Sequence, residues 1–286
     1  NGYSGLTYTH LGRHCQLTDL RVKFNKTGFT QSHYRCLIID TSTRFFQSYE
    51  RSMKHLLIIA IFLFSSAQFN PARCDDPDFE RIFDGKSLSG WVPTKGAENA
   101  WEVKDGILVG TGDKGRGYLT YAKNKNVADL EMKFSYRFPG KGNSGVSIRA
   151  VADETGKRDF KSYHADLGHK GIGGNVMGAW DFHTPGRREH RCFRGDSLVI
   201  KKDDTPQIKM IPNALTADDL HANGWNQVHI IAIDNYFKLF INNKLSSEFT
   251  ELLPIDKRLD KGMIQLQLHD PGMVVEFKDI QLKVIK

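Results

Sequence analysis

The stretch "GMIQLQLHDPGMVVEFKDIQLKVI", Gly262 to Ile285, closes the chain and sets the class of the fold. In its first half Ile264, Leu266 and Leu268 take one parity, and Gln265, Gln267 and His269 take the other. Successive side chains of a strand point to opposite faces, so this alternation describes a strand with one apolar and one wet face. Asp270-Pro271-Gly272 suits a tight turn, and the whole stretch is expected as a closing hairpin.

Working back towards the N-terminus, the same texture continues to about Phe79. "FERIF", "WEVKDGILVG", "GYLTY", "ADLEMKFSYRF", "SGVSIRAV", "KSYHADL", "SLVIK", "WNQVHIIAID" and "YFKLFINN" are short β-rich runs, cut by Asp105-Gly106, Asp234-Asn235 and Asn242-Asn243. Only "NALTADDLHA" has helical character, and it is short. Many strands without βαβ alternation predict an all-β antiparallel sandwich or jelly roll.

Parity also says which side of each strand is wet. Leu130, Met132, Phe134, Tyr136 and Phe138 oppose Glu131, Lys133, Ser135 and Arg137. Val146 and Ile148 oppose Ser147 and Arg149, and Tyr163, Ala165 and Leu167 oppose His164 and Asp166. Aligned on one sheet, such faces form a polar groove suited to a hydroxyl-rich ligand, but a polar outer face also serves solubility.

The front of the chain reads differently. Met53, Lys54 and His55 precede an apolar run from Leu56 to Phe64 and the small residues Ser65-Ser66-Ala67, the order of a secretory signal cleaved after Ala67. That run is too short to span a bilayer as a mature helix, so no stable membrane insertion is expected after cleavage. Residues 1–52 show no sustained period and are expected to be an upstream extension outside the protein's fold, with 53–67 the signal, 68–78 a linker and 79–286 one jelly-roll domain. The expected location is periplasmic or extracellular.

Removing 1–67 changes the charge. Of the formal +7 for all 286 residues, residues 1–52 carry +4 and Lys54 one more, leaving +2. No basic patch for nucleic acid is supported. Of four cysteines, Cys74 and Cys192 remain beyond the signal; an oxidising compartment permits them to pair, but spacing does not establish it, and there is no CxxC or Cys/His metal spacing.

Taken together, "RIFDGKSLSGW", "WEVKDGILVGTG", "ADLEMKFSYRFPGKGNSGVSIRA", "YHADLG", "NGWNQVHIIA" and "KGMIQLQLHDPGMVVEFKDI" resemble the 3-keto-disaccharide hydrolase domain family, in order from about Phe79 to Ile285. The resemblance implies a concanavalin-like jelly-roll sandwich of two antiparallel sheets, exported by bacteria. It also implies an oxidised oligosaccharide or glycoside as partner, cleaved by hydrolysis or elimination. A ketone at carbon 3 acidifies the hydrogen at carbon 2, so such an enzyme needs a base, an oxyanion stabiliser and a proton source.

The matched motifs mark these positions as site candidates, and by their chemistry His164, Asp166 and His269 suit proton transfer and Arg149 negative charge. Glu131, Asn143, Gln265 and Gln267 are candidates to hold hydroxyls. Each has a structural alternative: Asn143 as a turn former, Arg149 as a cross-strand partner of Asp166 or Glu131, His164 as a bonded sheet residue. The glycine-rich segment "HKGIGGNVMGAWDFHTPGRREHRCFRG" reads as a loop over the site, carrying Trp180, His183, Arg187, Arg188 and His190. Trp180 is expected either to stack on a sugar or to plug the core, and Arg187 and Arg188 to bind substrate. Trp91, Trp101 and Trp225 stand at strand starts and are expected to pack.

No E-x-D-x-E strand of a conventional retaining glycosidase occurs, nor a G-x-S-x-G elbow, a phosphate loop or H-E-x-x-H. No cofactor is expected; a divalent metal on His164, Asp166 and His269 is the one alternative. The rival to an enzyme is a non-catalytic carbohydrate-binding module on the same sandwich.

Overall fold

A computed structural model describes residues 77–140, 142–168, 173 and 175–286. The expected extension, signal and most of the linker, with Cys74, lie outside the described residues.

In chain order the strands are β1 (Glu80–Arg81), β2 (Trp91–Pro93), β3 (Trp101–Lys104), β4 (Ile107–Thr111), β5 (Gly117–Tyr121), β6 (Asp129–Arg137), β7 (Asn143–Ala152), β8 (Phe160–Gly168) and β9 (Trp180–His183). They continue with β10 (Arg191–Cys192), β11 (Asp196–Ile200), β12 (Pro206–Met210), β13 (Asn226–Ile233), β14 (Tyr236–Ile241), β15 (Lys244–Glu251), β16 (Met263–Leu268) and β17 (Val274–Ile285). A seven-stranded sheet runs β10-β9-β8-β7-β16-β5-β2, and a ten-stranded sheet runs β12-β11-β15-β14-β13-β6-β17-β4-β3 with β1 on β17. Pairing is antiparallel except between β11 and β15, which run parallel.

The two sheets pack through the parities read from the sequence. Leu130, Met132, Phe134 and Tyr136 of β6 and Phe237 and Leu239 of β14 are buried from one side. Val146 and Ile148 of β7, Tyr163, Ala165 and Leu167 of β8, and Ile264 and Leu266 of β16 are buried from the other. Interdigitated inner faces of this kind form the core of a sandwich.

The closing stretch is not a hairpin. β16 lies between β7 and β5 in one sheet, and β17 between β6 and β4 in the other, so Asp270–Met273 is a corner between sheets. Buried Met273 plugs that corner, its sulfur accepting from the His269 and Asp270 N–H groups at 3.3 Å. The Gly112 N–H donates to the Met273 carbonyl at 2.9 Å and the Gly272 N–H to Asp113 Oδ1 at 2.6 Å. These bonds carry the chain over the edge of the core instead of back alongside itself.

The helical stretch shrinks to one 3₁₀ turn, Ala217–Asp219, closed by a reciprocal Thr216–Asp219 capping box. The segment expected as a loop contains β9 and β10. Cys192 is a free buried thiol, and burial pushes its ionisation up. No helix among the described residues is long and apolar enough to cross a membrane.

Candidate active site

The seven-stranded sheet turns a band of polar side chains away from the core. Its register sets Thr120 opposite Gln265, Gln265 opposite Ser147, Ser147 opposite His164, His164 opposite Asp181 and Asp181 opposite Arg191. Directly opposed residues share a face, so this is one row across β5, β16, β7, β8, β9 and β10. A second row holds Tyr118 opposite Gln267 and Gly145 opposite Asp166. Ser162 and His183 are opposed on the other side of the first row.

His164 is the centre. Ser162 Oγ donates to Ser147 Oγ at 3.2 Å, and Ser147 Oγ lies 2.9 Å from His164 Nδ1. The other ring nitrogen, Nε2, faces Asp166 Oδ1 at 3.8 Å. The His183 ring stacks on His164 at 4.8 Å with 19° between planes, and His183 Nε2 sits 3.5 Å from Asp181 Oδ2. Gly145 makes room for this ring, because a Cβ there would stand 2.1 Å from His164 Nε2.

The site separates its charges. Burial, then the neighbouring charges of His183, His269 and Arg158, holds His164 well below the usual imidazole range and neutral at physiological pH, against a smaller opposing pull from Asp181. Burial and the charge of Asp181 push Asp166 well above the usual carboxylate range, with Arg191 opposing. Burial also pushes Asp181 up, but the His183 hydrogen bond and the charges of His183 and Arg191 outweigh it and leave Asp181 below the ordinary value. Asp166 therefore keeps its proton in a range where Asp181 has lost it.

Gln265 Oε1 and His183 Nδ1 are buried without a protein partner, while Gln265 Nε2 donates to Thr120 Oγ1 at 3.1 Å. Unpaired buried acceptors and donors are costly unless something else meets them, which marks this face for a polar ligand. A small cavity of about 130 Å³ opens beside it between Asp166, Asp181, Arg191 and Phe193. Larger clefts at Phe138 and His221, and at Lys133 and His229, gather no pair of carboxyl groups.

The structure brings His164, Asp166, Gln265 and Gln267 together, with half-buried Asn143 at the edge of the same face opposite Gly168. His269 stands at the end of β16, exposed and bonded through Nδ1 to Asp270 Oδ1 at 2.7 Å.

The other candidates lie elsewhere. Arg149 adopts φ 50° in a bulge that breaks the parity of β7. Its buried guanidinium donates to the carbonyls of Ala128, Asp234 and Leu259 and to Asp129 Oδ1. Glu131 is on the ten-stranded sheet, its Oε2 accepting from His229 Nε2 at 2.9 Å. Trp180 is 1 % exposed and packs on Phe249 and Phe237, because its parity in Trp180-Asp181-Phe182-His183 is the core parity. Arg187 lies 2.6 Å from the buried Glu251 Oε1 as an ion pair, though not aligned as a hydrogen bond, and Tyr163 donates to Glu251 Oε2. Arg188 is exposed in the segment that follows β9. Trp225 is half-buried between Lys278 at 4.2 Å and Arg137 at 4.7 Å. Among the described residues no three His, Cys, Asp or Glu side chains converge as metal ligands.

Asp181, Ser162 and Arg191 carry no motif that marks them in the sequence; Ser147 reads there only as a wet-face residue and His183 only as a loop residue. The apolar–polar alternation of Trp180-Asp181-Phe182-His183 is the signal that would have placed β9 on this sheet.

The profile of the 3-keto-alpha-glucoside-1,2-lyase-like domain matches residues 78–283. The chain belongs to that family. Membership places this lyase-like domain among carbohydrate-active proteins. No curated protein sequence gives a significant match. Two solved structures described as proposed glycosyl hydrolases from Parabacteroides distasonis ATCC 8503 are similar to it. One is 17% identical, with 73% of this chain and 94% of that chain covered and a TM-score of 0.49. The other is 14% identical, with 72% and 99% covered and a TM-score of 0.48. The carbohydrate-binding module CBM66 from Bacillus subtilis is 13% identical, with 68% and 95% covered and a TM-score of 0.42. These likenesses carry no functional argument.

Proposed function

We propose that this lyase-like domain is an exported enzyme that cleaves glycosides already oxidised to a ketone at carbon 3. The base removes the carbon-2 proton, the enediolate returns its electron pair, the bond from carbon 1 to the leaving oxygen breaks, and that oxygen takes a proton from the acid. The immediate product is an unsaturated keto sugar; adding water across it completes a net hydrolysis.

The observation that carries this reading is the opposed bias of the two carboxyl groups flanking His164. Titratable groups whose surroundings push them apart mark the acid and the base. Asp181, kept ionised, is the base, and Asp166, kept protonated, is the acid. Neutral His164, in the tautomer that carries its proton on Nε2, offers that N–H to the oxyanion that develops at carbon 3. Gln265 and Gln267 meet the sugar hydroxyls.

Incubation with a 3-keto disaccharide and with its unoxidised parent tests the reading. Release of sugar from the keto form alone, abolished in Asp181→Asn, is expected. Binding of both forms without turnover would instead support a carbohydrate-binding module.

A further inference from the structure

The β7–β8 hairpin does not continue the plane of its sheet. Tyr118 stands level with Gln267, Gly145 and Asp166, three strands from β8. Phe160 pairs with Ala152, six residues before Asp166 on β8. On a flat sheet that is about 20 Å along the strand and about 14 Å across it. Yet the Tyr118 and Phe160 rings meet edge to face with centroids 5.5 Å apart. The hairpin therefore bends back over the polar face.

The bend has a visible cause. Pairing slips between Ile148 and Val151 on one side of β7 and between Met263 and Gln265 on the other. Extra residues in a strand bend it sharply. Arg149 sits at this point and is pinned from the core side by its carbonyl and Asp129 partners. A Cβ on Gly262 would fall 2.5 Å from the Arg149 and Ala150 backbones, so the neighbouring strand is pressed against the bulge.

The tip itself is ordered by Asp153, which accepts from the N–H groups of Thr155 and Arg158 at 3.0 Å. Arg158 then reaches Glu189 at 3.4 Å. Its charge acts on both Tyr118 and His164. No third layer of strands covers this face among the described residues, yet Ser147 and Gln265 are 0% exposed.

We propose that the β7–β8 hairpin is a strap across the polar face, clasped by Phe160 on Tyr118, which closes one end of the groove and restricts it to glycosides whose oxidised sugar is terminal. The restriction rests on the keto-glycoside reading above; the strap does not. Sugars linked beyond the oxidised ring meet the clasp, whereas the leaving group points out of the open end.

The test uses the full chain carrying Gln265→Cys, with reagent uptake at the introduced thiol followed by peptide mapping. Adding Phe160→Ala is expected to speed labelling about tenfold, the upper end for losing one aromatic pair. Unchanged labelling overturns the strap. If Phe160→Ala does not fold, Tyr118→Leu removes the clasp from the other side.

In parallel, the unmodified chain and its Phe160→Ala variant are given a disaccharide oxidised at its terminal sugar and a trisaccharide oxidised at its middle sugar. The first is expected to be cleaved by both proteins and the second only by the variant. Equal cleavage by the unmodified chain overturns the terminal restriction. Faster labelling with neither glycoside cleaved leaves the strap standing and removes the chemistry.

Discussion

Gly145→Ala tests the active-site geometry without touching a functional group. Gly145 does not adopt a left-handed φ, so alanine suits its backbone and the only new demand is space. The added Cβ would lie 2.1 Å from His164 Nε2, 2.5 Å from Cε1 and 2.7 Å from the Ala165 carbonyl oxygen. Non-bonded heavy atoms settle near about 3.5 Å, so the imidazole must retreat by roughly 1.4 Å. His183 stacks on the ring and Ser147 holds Nδ1, so retreat breaks at least one of those contacts. Overpacking of this kind costs about 1–3 kcal/mol of stability. A displacement of about 1 Å at a reacting group costs on the order of 100-fold in rate. The assay is turnover of a 3-keto disaccharide at a temperature where urea titration shows the variant folded, with His164 ring shifts followed by NMR. A folded variant with unchanged turnover and unmoved His164 resonances would refute the placement of His164 at the centre.

The rate as a function of pH is expected to be bell-shaped. Activity falls as pH drops through the lowered value of Asp181, which takes up a proton and ceases to be a base, and falls again as pH rises through the raised value of Asp166, which loses the proton it donates. Asp166→Asn is expected to remove the alkaline limb as well as most of the rate. Arg187→Ala leaves Glu251 buried beside Tyr163 without its cation and is expected to cost about 3–5 kcal/mol by denaturant titration. The deficit should shrink at acid pH, because burial already raises Glu251 and a protonated carboxyl needs no partner. Adding Glu251→Gln should recover much of the loss. Mass spectrometry of exported protein is expected to find Gln68 at the N-terminus, and peptides from residues 1–52 would contradict the signal assignment.

Strand parity made much of this molecule legible. Tyr163-His164-Ala165-Asp166 and Ile264-Gln265-Leu266-Gln267 put the same residues inward and outward as the alternation predicts. It could not say which sheet a strand joins, which is why the closing stretch reads as a hairpin although Met273 makes it a corner. Arg149 was lost to a bulge, since one residue at φ 50° reverses every expectation that depends on counting. For Trp180 the structure selects the core alternative, and Asp181 escapes notice, because glycines on both flanks hide a four-residue strand whose own alternation assigns tryptophan to the core and aspartate to the site. Glu131 shows a further limit, because a wet face on the second sheet has the same pattern as one on the first.

The central claim is that this site takes a proton from carbon 2. Cleavage of a 3-keto disaccharide in D₂O, with brief incubation and an enzyme-free control for spontaneous exchange, measures that directly. The oxidised sugar is expected to be released either unsaturated, having lost its carbon-2 hydrogen, or with solvent deuterium at carbon 2, and Asp181→Asn to yield neither. A saturated keto sugar that keeps its original carbon-2 hydrogen would mean direct displacement at carbon 1 and would contradict the central claim.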